Sequence, residues 1–203
     1  MNDRPLTIIG GGIAGLSLGV GLRRHGVPVT IIEAATYPRH RVCGEFISGV
    51  SRETLESLGV ADLLDDAEVC RETAWHDATG PILRKTLPSP ALGISRFRLD
   101  RRMVERFREL GGELREGERY RENATAPEGH LFATGRSRDA TSPWLGLKGH
   151  LIDYPLEADL EMHLGDGGYI GLSRIEDGRV NACGLFRRRS DLQVQGSEAL
   201  LAY

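Results

Sequence analysis

Residues 5–33 read PLTIIGGGIAGLSLGVGLRRHGVPVTIIE, and this stretch decides the fold. Pro5-Leu6-Thr7-Ile8-Ile9 is a short apolar run of the kind found in a fully buried strand. Gly10-Gly11-Gly12-Ile13-Ala14-Gly15 follows it directly. A helix is predicted over 13–25, with Ala14, Leu18 and Leu22 on one face and Gly26 in the position of a C-terminal glycine cap. Residues 28–33 form a second buried strand. Strand, turn, helix and strand within about thirty residues make one parallel, right-handed βαβ unit.

Gly10-x-Gly12-x-x-Gly15 has the spacing of a pyrophosphate site. The first glycine allows the tight turn out of the strand. The second lets backbone N–H groups approach a diphosphate without a Cβ in the way, and the third lets the helix pack closely on the sheet. The helix N-terminus adds unpaired N–H groups and a partial positive charge. Glu33 ends the second strand, 18 residues beyond Gly15. A carboxylate there accepts hydrogen bonds from ribose hydroxyls and repels a 2′-phosphate, which disfavours NADP.

Working outward, residues 34–50 form a loop rich in Pro, Arg and Gly. Ser51 caps a helix through Leu58 that Gly59 ends, and a short helix follows near 61–66. Residues 72–87 read as a hairpin around Asp77-Ala78-Thr79-Gly80-Pro81. Asp100 is the expected cap of a helix running to Leu110, with Met103, Phe107 and Leu110 on one face. Residues 115–130 are polar and irregular, and 131–135 is a short strand. Four strands are expected at 147–154, 159–164, 168–175 and 179–186, with Asp177-Gly178 as a hairpin turn.

The fold class is therefore α/β, or α+β overall. A Rossmann-like parallel sheet for FAD or NAD(P) occupies 1–70 and 96–140. An incomplete antiparallel substrate-binding domain occupies 71–95 and 141–203. The chain of 203 residues carries a net charge of −3, which gives no field to attract nucleic acid or an anionic membrane. Its three cysteines, Cys43, Cys70 and Cys183, form no C-x-x-C pair. The six histidines are scattered, so no metal site is expected and a cytoplasmic setting is the default. Residues 8–22 are too short and glycine-broken for a membrane span.

Several patches resemble the flavoprotein group of para-hydroxybenzoate hydroxylase-fold monooxygenases and geranylgeranyl reductase-like oxidoreductases. They are Thr7–Gly15 with Glu33, Tyr37–Ser48, Ser95-Arg96 with Leu99-Asp100, Ala133–Arg136, and Gly168–Leu172 with Asp177–Asn181. Arg41-Val42-Cys43-Gly44-Glu45 resembles the Arg-x-Cys-Gly-Glu signature of the reductase-like branch. The resemblance implies FAD as cofactor and a cofactor-binding set of Gly10, Gly12, Ile13, Ala14, Gly15, Glu33, Ala34, Arg41, Cys43, Gly44 and Arg96. In it, the three glycines hold the pyrophosphate, Glu33 the adenosine ribose, and Arg41 the phosphates or ribityl chain. The Cys43-Gly44 loop lies near the isoalloxazine, and Arg96 contacts the flavin chain. Arg39 reads equally as a phosphate neighbour or a solvated loop charge. Cys43 reads as a reactive thiol or a small hydrophobe, and Glu45 as the partner of a nearby arginine. Cys70 and Cys183 are assigned to packing, Trp75 and Trp144 to core or interface, and His150 and His163 to structural roles.

The chain departs from that group in three places. Relatives run longer and carry a late Gly-Asp motif before a proline and a glycine-rich helix start. Here Gly165-Asp166 reads as a turn, so the C-terminal part is expected to be lacking. The segment between the 100–110 helix and Ala133 is short, so part of the sheet is expected to be missing. Ala133-Thr134-Gly135 stands where the hydroxylases carry an Asp-Gly motif linked to pyridine nucleotides. The tryptophan motif of flavin halogenases is absent too. Two functions remain open: an FAD-dependent oxidoreductase, reductase-like or monooxygenase-like, acting on a small organic or lipid-like molecule; and a truncated, non-catalytic FAD- or nucleotide-binding module needing a C-terminal half or partner chain. Homo-oligomerisation would cover the apolar face left in the second case. An NAD-binding dehydrogenase is disfavoured by the Arg-Val-Cys-Gly-Glu stretch and the antiparallel second half.

Overall fold

The computed structural model describes residues 4–121, 128–136 and 141–188. The 122–127 part of the irregular stretch and the expected second domain beyond 188 lie outside them. Among the described residues the chain order is β1 (Leu6–Ile9), α1 (Ile13–Arg24), β2 (Val29–Glu33), β3 (Phe46–Ile47), α2 (Arg52–Leu58), a 3-10 helix (Ala61–Leu64), β4 (Glu68–Asp77), β5 (Gly80–Gly93), α3 (Arg96–Glu109), β6 (Glu113–Glu116), β7 (His130–Phe132), β8 (Trp144–Leu151), β9 (Leu160–Gly165), β10 (Gly168–Ile175) and β11 (Arg179–Arg187). The chain divides into two compact units. The first comprises Met1–His40, Gly49–Asp66 and Arg96–Arg138, and the second Arg41–Ser48, Ala67–Ser95 and Asp139–Tyr203.

The first unit is built on a parallel sheet in the order β6-β2-β1-β7. Leu6 pairs with Val29 and Ile9 with Ile32, so the βαβ reading is correct. Ile8 and Ile31 are fully buried, as expected of the continuous apolar runs of a parallel sheet. β6 and β7 flank this pair, Thr30 opposite Glu113 and Thr7 opposite His130. The polar residues Glu113–Glu116 gave no strand signal. They hold an edge position, where charge is tolerated.

Two helix expectations need correcting. α1 buries Gly15, Leu16, Gly19 and Val20, whereas Ala14 and Leu18 are exposed. Gly15 and Gly19 let the helix approach the sheet closely, and Leu16 and Val20 fill the rest of that face. Asp100 does not cap α3. The helix starts one turn earlier, at Arg96, and Asp100 lies fully buried within it, where Arg96 satisfies its carboxylate. Met103 and Phe107 are buried as predicted. Ser51 does cap α2, its Oγ accepting the Thr54 N–H at 3.1 Å, and Gly59 ends the helix with φ +76°. Arg24 Nη1 donates to the Glu56 and Ser57 carbonyls at the C-terminal end of α2.

The second unit is a sheet in the order β3-β5-β4-β9-β10-β11-β8. All neighbours are antiparallel except β4 and β9, which run parallel, so the sheet is mixed. Alternation of residues does not encode strand direction, and this seam was invisible in the sequence. The hairpin turn at Asp177 (φ +61°) and Gly178 (φ +68°) forms as its residues dictate. Cys70, Ala91 and Leu160 form a buried cluster with Leu87 packed on it. Burial pushes the Cys70 thiol up to about 11, in keeping with its packing role. Trp75 and Trp144 are not core residues; both are exposed. No helix among the described residues is long and apolar enough to cross a membrane.

Candidate functional site

The first unit holds the glycine turn between β1 and α1. Gly10 has φ +105°, and a Cβ there would lie 2.4 Å from the Ala133 carbonyl oxygen on the segment after β7. A Cβ on Gly15 would lie 1.9 Å from the Gly10 carbonyl oxygen. These two glycines are required by protein packing. Gly12 differs: a Cβ there would meet nothing within 4 Å. It is also the N-cap of α1, with no side chain capping the helix and no acid in the first turn. Ile13 and Ala14 begin the helix. The first N–H groups of α1 therefore have no side-chain acceptor, and the space over Gly12 is open.

Glu33 is buried beside this turn at the end of β2. Its Oε2 accepts the Gly11 N–H at 2.8 Å, and its Oε1 accepts the Ala35 N–H at 2.9 Å and Arg39 Nη2 at 3.0 Å. Burial alone would raise the Glu33 pKa. The Arg39 guanidinium and the two amides outweigh it and hold the carboxyl below its ordinary value, so it is ionised at neutral pH. Ala34 is exposed next to it. Tyr37 donates its hydroxyl to the Gly11 carbonyl, and burial raises its pKa. Tyr37 was missed in the sequence because its partner lies 26 residues away. Arg39 is no solvated loop charge. It lies 5.9 Å over the Tyr37 ring, and its Nε is buried with no hydrogen-bond partner, as expected of a group that awaits an anionic or hydroxyl ligand. Arg96 makes a two-point contact with Asp100, Nε to Oδ1 at 2.8 Å and Nη2 to Oδ2 at 2.9 Å. Its four-residue spacing from Asp100 was the available signal.

Arg41, Cys43 and Gly44 belong to the second unit, where the loop before β3 is fastened to the sheet by hydrogen bonds. Asn181 Nδ2 donates to the Cys43 carbonyl at 3.1 Å, and Ser173 Oγ to the Gly44 carbonyl at 2.7 Å. Ile94 N–H donates to the Glu45 carbonyl at 2.9 Å. Glu45 sits at φ +55° with a fully buried side chain. Lys148 Nζ donates to its Oε1 at 2.5 Å, and His150 Nε2 lies 2.7 Å from its Oε2. Both come from β8 and carried no local signal. Arg41 is half-buried at the start of this loop. Burial, with Cys43 adding to it, raises the Cys183 thiol above its ordinary value.

A parallel sheet with a glycine turn, an uncapped helix start and an acid ending the next strand defines a dinucleotide-binding protein of the Rossmann-like class. Residues 3–141 match the FAD binding domain family, and the chain belongs to it. The cofactor of that family is FAD. The open space over Gly12 and the unpartnered Arg39 Nε fit such a ligand.

Known proteins agree with this placement. The chain is similar to 3-amino-4-hydroxybenzoate 2-monooxygenase PtmB3 of Streptomyces platensis, 34% identical over 45% of this chain and 24% of that protein. It is similar to squalene epoxidase erg1 of Schizosaccharomyces pombe, 36% identical over 31% of this chain and 14% of that one. In fold it resembles Klebsiella pneumoniae HpxO complexed with FAD and uric acid, with a TM-score of 0.71, 17% identity, and coverage of 96% of this chain and 59% of that chain. These matches span about a quarter or less of the two curated relatives.

Proposed function

We propose that this chain is the FAD-binding portion of an FAD-dependent oxidoreductase that acts on a small organic or lipid-like molecule. The observation that carries the reading is Gly12. It is the one motif glycine whose Cβ would meet no protein atom, at the uncapped start of α1 beside an ionised, buried Glu33. In this reading the N–H groups at Gly12 and Ile13 hold the diphosphate and Glu33 accepts from the adenosine ribose. Gly10 and Gly15 shape the turn, and Arg39 and Arg41 supply positive charge. Bound FAD supplies the hydride and electron chemistry; the protein supplies binding, orientation and exclusion of water. The second unit, in which Asn181 and Ser173 hold the Cys43-Gly44 loop, serves as the substrate domain.

Monooxygenation is favoured by the names of the relatives, one acting on an aminohydroxybenzoate and one on squalene. The finer reading of a geranylgeranyl reductase-like subtype rests on Arg41-Val42-Cys43-Gly44-Glu45. A small-molecule substrate and a homo-oligomer or partner chain fit both.

The test is a visible absorption titration of the purified chain with FAD. Resolved flavin shoulders at one FAD per chain, lost in Gly12→Ser, are expected. FAD left spectrally unchanged by the wild-type chain would overturn the reading. With FAD bound and NADH or NADPH supplied as reductant, oxygen uptake with an oxygenated product from phenolic or polyprenyl compounds indicates monooxygenation, whereas a saturated product formed without oxygen uptake indicates reduction.

A further inference from the structure

We propose that His76, Glu161 and His163 form a binding site for a divalent transition-metal ion of the zinc class, clipping the parallel seam of the second unit. The proposal is independent of the flavin reading.

The site follows from strand register. β4 and β9 pair in parallel with His76 opposite His163 and Ala74 opposite Glu161. Side chains alternate along a strand, so these four residues share one face of the sheet. The small side chain of Ala74 leaves room beside Glu161. The two imidazoles stack with centroids 4.6 Å apart and planes 7° from parallel. One ligand atom from each of His76, Glu161 and His163 lies within 4.8 Å of the others.

The donors are already oriented. Glu161 is buried, and its Oε1 accepts the backbone N–H groups of Glu157 at 2.5 Å and Ala158 at 3.2 Å. Those bonds turn Oε2 towards the histidines, 2.8 Å from His163 Nε2. Such outer contacts are what orient a metal-binding carboxylate. His76 Nε2 is buried and has no hydrogen-bond partner; the nearest acid, Glu157, stands 3.8 Å away. A buried ring nitrogen in that condition is anomalous in a folded protein, and a metal bond would satisfy it. Bonds of about 2.0–2.2 Å require the donors to draw together to roughly 3.4 Å, which side-chain rotation accomplishes. The His163 proton on the Glu161 side then moves to Nδ1 or to solvent.

Two imidazole nitrogens and one carboxylate oxygen suit zinc and its first-row neighbours. They do not suit calcium or magnesium, which take oxygen shells. The exposed carboxylate of Glu157, or water, completes the fourth position. The ion would join two segments far apart in sequence, the 67–95 hairpin and the strands after 139, across the parallel seam. Its binding is therefore coupled to the stability of this unit.

The experiment is zinc titration of the chelator-treated full chain against a chromophoric competitor, with cobalt as spectroscopic probe and thermal melting as second readout. We expect one Zn²⁺ per chain, displaced by Co²⁺ and not by Mg²⁺, and a melting temperature that rises with zinc. His76→Ala and His163→Ala should each weaken binding by more than about 100-fold and abolish the zinc-dependent rise. His25→Ala, at an exposed helix end, should leave both unchanged. Glu161→Gln keeps the bonds to Glu157 and Ala158 and serves as the independent variant should a histidine variant fail to fold. Absence of stoichiometric zinc in the wild-type chain, or wild-type affinity in folded variants, overturns the site.

Discussion

Each unit buries a glutamate beside a glycine-containing turn, and the two are held in different ways. Glu33 in the first unit closes a buried strand, with contacts to residues 11, 35 and 39. Glu45 in the second unit is held in a left-handed backbone conformation by Lys148 and His150, more than 100 residues away. The first carboxylate is oriented by its own βαβ unit and has amides and a guanidinium around it. The second is enclosed with a lysine whose side chain is 4% exposed. Locally built sites tolerate loss of one contact, whereas a dry ion pair does not.

The largest effect is therefore expected at Lys148. Lys148→Met removes the ammonium that faces the buried Glu45 carboxylate and should cost about 3–5 kcal/mol in denaturant unfolding. The double variant Glu45→Gln with Lys148→Met should recover most of that loss. A single variant as stable as wild type would show that the pair is solvated and erase the contrast between the units.

Next come the two glycines of the first unit. Gly15→Ala places a Cβ against the Gly10 carbonyl and should lose about 1–3 kcal/mol of stability together with FAD binding. Gly12→Ser enters open space and can cap α1. It should leave stability unchanged or slightly raised, while FAD affinity falls by about tenfold or more, about 1.4 kcal/mol. Equal losses of stability in both variants would contradict the division into a packing glycine and a ligand glycine.

Glu33→Gln should cost about 1–2 kcal/mol at neutral pH. The folded-state pKa of Glu33 is lowered from 4.5, so its stabilisation is fully present above that value. It is lost as the pH falls through the lowered value. The gap between wild type and Glu33→Gln should therefore narrow as the pH falls below 4.5. A gap that widens on acidification reverses the sign and refutes the assignment. The smallest effect, about 1 kcal/mol, is expected for Ser51→Ala, which removes the exposed cap of α2 and should not alter FAD binding.

Much of the first unit was legible because its determinants are close in sequence. The run from Pro5 to Glu33 specifies two strands, their connecting helix and the acid that ends the second strand. Ser51 and Gly59 bracket α2 through their own backbone chemistry. The errors have the same root. Asp100 looked like a cap because its local context is that of one, yet Arg96 satisfies it inside the helix. Ala14 and Leu18 looked like the buried face of α1, yet the face turned inward is Gly15, Leu16, Gly19 and Val20. β6 is polar because it is an edge, and a pattern of buried residues does not reveal edges.

Read alone, the chain specified a Rossmann-like unit with its glycine turn and acid, a strand-rich second part, and FAD as the cofactor implied by its resemblance. These features are written in backbone conformation, helix capping and side-chain period, which act over a few residues. Strand order and direction, the Glu45–Lys148–His150 cluster, and the meeting of His76 with Glu161 and His163 emerged only from the folded chain. They depend on which strands lie side by side and in what register. That choice is made by packing whole faces against one another, and no short window of residues contains it.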